Sequence, residues 1–400
     1  MYLSLFLLIV IGFSFARILN LLRLPRIIGM LLGGIVLGPF GLNLLDQGLL
    51  DLSPDLRKIA LLVILLKAGL SLDVKDLKQV GRPAILLSFL PATFEILGYY
   101  FLAPKLLGIS PTEALLMGAV LGAVSPAVVV PRMVSLMDLG YGTKKGIPQM
   151  ILSGASCDDV YVIVLFTSFL GMVQGGSLSL RSFLSIPISI GLGALAGVLF
   201  GWGLFVYFEW RYRRGELLRN SSKIFLLLAF SFFLVALETM LENKIPFSSF
   251  IGVLVMAAVL KGKMEESVSQ RLSEKMGKLW IGAEVVLFVL VGAAVDIRYT
   301  LAGGWAVVFM VLLPLLIRSW GVFLATVGTH LNGKERLFVV ASYLPKATVQ
   351  AAIGGVALSM GLSCGKIILS VAVVAILITA PLGAFLMDAL YKKCLEGPIR

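Results

Sequence analysis

The chain has 400 residues, of which 59% are hydrophobic and only 14% charged, the composition of an integral membrane protein. Its net charge of +12 could point to nucleic acid, but the basic residues lie in the loops between apolar runs, which argues against such a partner. Cys157, Cys364 and Cys394 have neither metal-ligand spacing nor a disulfide framework. There is also no Walker motif or soluble nucleotide-binding segment, so no cofactor, ATP-driven step or enzyme chemistry is expected.

Apolar runs of membrane-crossing length fall at about 2–19, 26–44, 56–72, 83–103 and 111–135. They continue at 147–172, 182–207, 223–241, 246–260, 279–295, 301–327, 336–360 and 366–390. The expected fold is therefore an all-α integral membrane protein of about thirteen transmembrane helices in one transporter domain, residues 1–400. Met1–Ser4 lacks the basic start of a signal peptide, so the first run is read as the first span. Most of the 34 basic residues fall on one side if the N-terminus lies outside. Arg211, Arg213, Arg214, Arg219, Lys392 and Lys393 are then cytoplasmic, while Arg57, Lys58, Lys105, Arg181, Lys244, Arg298 and Lys366 stay outside. This asymmetry predicts an outside N-terminus and a cytoplasmic C-terminus.

Two spans are interrupted near their middles. The fifth contains Gly122-Ala-Val-Ser125-Pro126 and then Pro131; the twelfth contains Leu344-Pro345-Lys346 and then Gly354-Gly355. Proline removes a backbone donor and clashes with the preceding turn. Such breaks are tolerated at membrane depth only where backbone is buried in protein or lines a cavity. Spans five and twelve are seven apart and run in opposite directions, which fits two inverted six-helix repeats with crossed broken helices, joined by span seven. Matched broken helices point to the substrate site of a secondary transporter.

Seven ionisable residues lie within spans: Lys67, Glu95, Asp158, Asp159, Glu284, Arg318 and Lys346. Lys67 and Glu284 sit near span ends and can reach water. The other five lie deeper, where a single charge costs about 2.5–3.5 kcal/mol even on the lenient insertion scale. Three are carboxylates and two are cations, so one negative charge lacks a fixed partner. A proton or a monovalent cation would complete the count, and competition between them is the outline of an exchanger. Asp158 and Asp159 are the candidate cation and proton ligands, with sodium as the metal ion carried. Lys346 is placed in a break to neutralise an aspartate between cation visits. Glu95 and Arg318, also seven spans apart, are read as a structural ion pair beside the site. Ser125, Ser156 and Thr348 could add hydroxyl ligands or merely bond neighbouring helices. The lone histidine, His330, lies in a loop.

Several stretches now combine: Gly29-Met-Leu-Leu-Gly-Gly, Leu66-Lys67-Ala-Gly-Leu70-Ser-Leu, Pro91-Ala-Thr-Phe-Glu95 and Gly122-Ala-Val-Ser-Pro-Ala-Val-Val-Val-Pro131. Ala155-Ser-Cys-Asp-Asp159, Val291-Gly-Ala and Leu344-Pro-Lys-Ala-Thr-Val-Gln-Ala-Ala-Ile-Gly354 complete the set. With them the chain resembles the cation/proton antiporter superfamily, and within it the NHA-type sodium/proton antiporters of NhaA-like fold. The resemblance implies a core of about 56–172 and 279–390, a dimer-forming scaffold of about 1–44 and 182–260, and elevator-like movement of one against the other. It implies Asp159 as principal carboxylate, Asp158 beside it, Lys346 as counter-charge and Arg318 with Glu95 as a buried pair. Branches with Asn-Asp at the acidic pair differ from Asp158-Asp159. Electrogenic double-aspartate members are expected to carry lysine where Arg318 stands, so arginine here favours electroneutral exchange.

The expected activity is sodium or lithium exchange for protons by a homodimer in a lipid bilayer, with a bacterial inner membrane as the expected location. Two alternatives stand: an antiporter for potassium or another monovalent cation, and a sodium-coupled organic anion symporter of related fold. The symporter would need anion-binding groups, and the spans hold no unpaired basic cluster.

Overall fold

The computed structural model describes residues 1–22, 24–71, 81–174, 180–216, 218–241, 245 and 247–397. The side chains of Ser71, Ser156 and residues 180–187 are outside that set. The hydroxyl suggested for Ser156 therefore falls outside the described residues, as does the outside position expected of Lys244.

In chain order the helices are α1 (Tyr2–Leu21), α2 (Arg26–Leu37), α3 (Gln47–Ser71), α4 (Arg82–Leu87), α5 (Leu90–Leu107), α6 (Pro111–Leu121) and α7 (Pro126–Asp138). There follow α8 (Ile147–Gln174), α9 (Leu180–Arg213), α10 (Asn220–Leu241), α11 (Ser249–Lys263) and α12 (Glu266–Ala293). The chain ends with α13 (Ile297–Ala302), α14 (Gly304–Ala325), α15 (Gly333–Ser342), α16 (Thr348–Gly354), α17 (Val356–Ser359) and α18 (Gly365–Cys394). No strand occurs among the described residues. Nine helical stretches among them are long and apolar enough to cross a membrane, and Arg26–Leu37 and Thr348–Ser359 are shorter apolar helices. With α3 and α11 these make thirteen helical passages in the expected order.

The boundaries differ where hydropathy and helix part company. The second run ends as helix at Leu37 and turns through Gly38 and Asn43, the latter with φ 52°. The third passage begins at Gln47, nine residues before the apolar run. Asp51 and Asp55 hide this first part from a hydropathy reading, and Arg57 and Lys58 stand at its junction with the apolar run. Arg57, expected in an outside loop, is thus inside a helix, and only 8% of it is exposed. The fourth passage has its own interruption at Ser88 and Phe89. Pro91 in the next turn lacks the N–H that would carry the helix through.

Capping sets the entries to both broken passages. Ser110 accepts from Glu113 N at 3.3 Å while Glu113 Oε2 accepts from Ser110 N at 2.8 Å, and Pro111 opens α6. Asn332 and Glu335 form the same reciprocal box at 2.9 and 2.7 Å at the start of α15.

The helices cluster into two units. The first comprises Met1–Arg57, Asp73–Phe169 and Val285–Arg400. Here α5 lies against α14 through Gly98, where an added Cβ would be 3.3 Å from Pro314, and against α6 through Gly118, 3.2 Å from the Tyr99 side chain. These close approaches aim the α5 face that carries Glu95 at α14. The second unit comprises Lys58–Leu72 and Leu170–Glu284. Its α9 presents Gly193, Gly197 and Gly201 at four-residue spacing to Ser248, Gly252 and Met256 on and beside α11, the small-residue seam common between membrane helices. Lys67 lies in this unit with its ammonium 5.8 Å from the Trp280 ring centre, and Glu284 belongs to the same unit.

Candidate functional site

The site lies within the first unit, where the two broken passages cross. In the first break, Gly122 to Ser125 leave the helix between α6 and α7, and Pro126 restarts it as first helical residue. In the second, Tyr343 to Ala347 separate α15 from α16, with Pro345 at the centre. The two main chains touch directly: Ser125 N donates to Pro345 O at 2.8 Å.

Opening a helix in apolar surroundings orphans its main-chain groups, and here buried side chains occupy them. Val124 N donates to Asp158 Oδ2 at 2.8 Å. Gln350 Nε2 donates to Ala123 O at 2.7 Å, while its Oε1 accepts from Ala347 N at 2.8 Å. Lys346 N donates to Thr379 Oγ1 of α18 at 2.9 Å. Pro345 itself sits where Gly383 of α18 has no Cβ to obstruct it.

Arg318 ties both breaks together. Its Nε donates to Tyr343 O at 2.8 Å, and its Nη1 donates to Gly122 O and, at 2.8 Å, to Glu95 Oε2. Its Nη2 reaches Asp158 Oδ2 at 3.1 Å. Glu95, Asp158, Arg318 and Lys346 are all fully buried. Moving each such ion out of water costs several kcal/mol, a cost offset only by multiple short contacts of this kind. A planar guanidinium with five fixed donors can bridge two carbonyls and two carboxylates at once, which an ammonium cannot.

The pairing differs from the one expected along the sequence. Lys346, expected opposite an aspartate, donates to Glu95 Oε2 at 2.8 Å and to Ala123 O at 3.4 Å. Arg318, expected to serve Glu95 alone, also holds Asp158. Glu95 is therefore shared by both cations, and the aspartates are left unequal. Asp158 has one oxygen fully engaged and its Oδ1 without a partner. Asp159 is 8% exposed against 0% for Asp158, and its Oδ1 is also without a partner.

The remaining expected residues sit at the same crossing. Ser125 is buried with its Oγ unpartnered, and Thr348 opens α16 with 4% exposure. Sequence reading passed over Gln350, Thr379 and Tyr343. Gln350 stood inside a quoted motif, and a fully buried amide in an apolar span was the available signal. The role of Tyr343 is carried by its carbonyl, for which residue type offers no sign.

Comparisons with known proteins agree with this architecture. A family profile described as sodium/hydrogen exchanger, transmembrane, matches residues 4–392. The chain is 34% identical over 385 residues to human sodium/hydrogen exchanger 9B2, covering 93% of this chain and 70% of that protein. It is 31% identical over 398 residues to human sodium/hydrogen exchanger 9B1, covering 95% and 75%. Its fold is similar to the solved structure of the sodium proton antiporter MjNhaP1 from Methanocaldococcus jannaschii, with a TM-score of 0.80, 20% identity and 97% of each chain covered.

Proposed function

This chain belongs to the sodium/hydrogen exchanger family, and from that premise we propose that it exchanges sodium or lithium for protons at Asp158 and Asp159. One observation carries the reading. Two adjacent buried carboxylates each keep an oxygen without a partner, beside main chain that has been opened.

The five charges at the crossing are three carboxylates and two cations, so the empty site carries one surplus negative charge. Either a monovalent cation or a proton cancels it. The two ligands thereby exclude each other, and this exclusion couples their flows. Asp159 is the exchanging group, because its carboxylate is the less tied of the two. Asp158 stays fixed by Val124 N and Arg318 and supplies its free Oδ1 as a second ligand. Ser125 Oγ, buried and unpartnered, is the hydroxyl candidate in the first break. Arg318 cannot release its proton, so it holds geometry and charge constant through the cycle.

One cation in exchange for one proton moves no net charge, and the cycle is electroneutral. The loaded site moves by an elevator-like step of the core, residues about 56–172 and 279–390, against a dimeric scaffold of about 1–44 and 182–260. The N-terminus lies outside and the C-terminus in the cytoplasm of a bacterial inner membrane.

Proton flux in reconstituted vesicles, with sodium, lithium and potassium compared, tests the exchange. Sodium and lithium should drive proton movement and potassium should not; potassium-driven flux would make this a potassium antiporter. A cation jump on a solid-supported membrane tests the stoichiometry, and no sustained current is expected. A sustained current with the sign of net proton movement, abolished by Lys346→Ala, would replace one proton per cation with two and make Lys346 the second carrier.

A further inference from the structure

Arg57 belongs to none of the hydrogen-bond networks described above, yet it is buried in the same unit as the crossing. The residue is 8% exposed. Its one hydrogen bond runs from Nε to Ser53 O, one turn back on its own helix, at 3.3 Å. Its Nη1 has no partner, and it forms no ion pair among the described residues. A buried charge without an ionic partner is a functional-site hypothesis inside a membrane protein, because structure alone does not repay its desolvation.

Its neighbour gives the location. The guanidinium lies where a Cβ on Gly355 would be, so only glycine leaves it room. Gly355 is the turn residue between α16 and α17, in the second half of the twelfth passage. By the order of passages, this half leads from the crossing toward the membrane face on which the N-terminus lies. Arg57 on α3 enters from that same face. A fixed positive charge therefore stands beside the half-helix whose other end carries Lys346 and Thr348.

We propose that Arg57 is a positioning residue of the exchange cycle, whose fixed charge lowers cation affinity on the N-terminal side of the membrane by opposing cation approach along the second broken helix. The inference rests on the exchange reading above. A constant charge leaves the number of protons per cation unchanged; it alters how strongly the site draws a cation from one side. At an effective dielectric of about 20, one unit charge acts over more than one turn of helix, which is enough to shift an apparent KM by on the order of threefold.

The test uses the full chain in vesicles of known orientation, with cation-driven proton flux measured from each side. Arg57→Gln should lower the apparent KM for sodium from the N-terminal side by about threefold or more, with a smaller change from the other side. Arg57→Lys, which keeps the charge, should retain most of the wild-type KM. Gly355→Ala, which displaces the guanidinium without neutralising it, should also shift KM. Sodium-dependent thermal stabilisation of the purified variants should follow the same order. An unchanged KM in Arg57→Gln, or Lys behaving as Gln does, would overturn the inference. So would the failure of both Arg57→Gln and Gly355→Ala to fold, which would make Arg57 purely structural. A wild-type protein without cation-driven flux would overturn the exchange reading instead.

Discussion

Two regions of this molecule hold helices together in apolar surroundings by opposite means. At the crossing in the first unit the helices are opened, and Arg318, Asp158 and Gln350 bond the main-chain groups that opening exposes. In the second unit α9 and α11 stay closed, and Gly193, Gly197 and Gly201 let backbone approach backbone. Closed helices satisfy their own main chain, so close packing is enough. Opened helices must bury polar side chains with them, and those side chains bring charge to a place that water would otherwise avoid. The chemistry and the local fold are therefore separable in the second unit and inseparable in the first.

This contrast can be broken or sharpened by substitution. The largest effect is expected on transport. Asp159→Asn should reduce cation-driven proton flux to background while thermal unfolding in detergent stays near wild type, since no main-chain group depends on Asp159 Oδ1. Flux at the wild-type rate would move the carrier elsewhere. Next comes Arg318→Met, which strands two carbonyls and two carboxylates. Removing one partner of a buried pair costs about 3–5 kcal/mol, so a large fall in unfolding temperature should accompany loss of flux. In the second unit, Gly197→Leu should cost about 1–3 kcal/mol by overpacking the seam. An apparent KM for sodium unchanged in that variant would support the separation, and a shifted one would break it. The smallest effect is expected for Thr379→Val, which removes the acceptor of Lys346 N. It should cost about 1 kcal/mol, read as a slight loss of thermal stability with flux largely kept.

Much of this was legible before the structure. The thirteen passages followed from apolar run length, and both breaks of the crossing followed from Ser125-Pro126 and Leu344-Pro345 in passages of opposite direction. The deep charges stood out because little else in those runs is polar. What escaped was decided by neighbours distant in sequence. Lys346 meets Glu95 across 251 positions, and charge alone did not distinguish that carboxylate from the aspartates. The start of α3 was hidden because Asp51 and Asp55 precede its apolar run, and Arg57, at the edge of that run, was assigned to the loop. The interruption at Ser88 and Phe89 lacked a matching partner elsewhere, so the symmetry that flagged the other two breaks could not flag it.

The bond from Ser125 N to Pro345 O is made entirely of main chain. Its survival does not depend on which side chains stand at those positions, provided residue 125 keeps an N–H. Seryl or alanyl, prolyl or leucyl, the joint between the two broken helices can persist while the ligands around it drift. An exchanger built this way can change the side chains of its crossing by ordinary point mutation, because the joint between the broken helices and the side chains around it are different atoms.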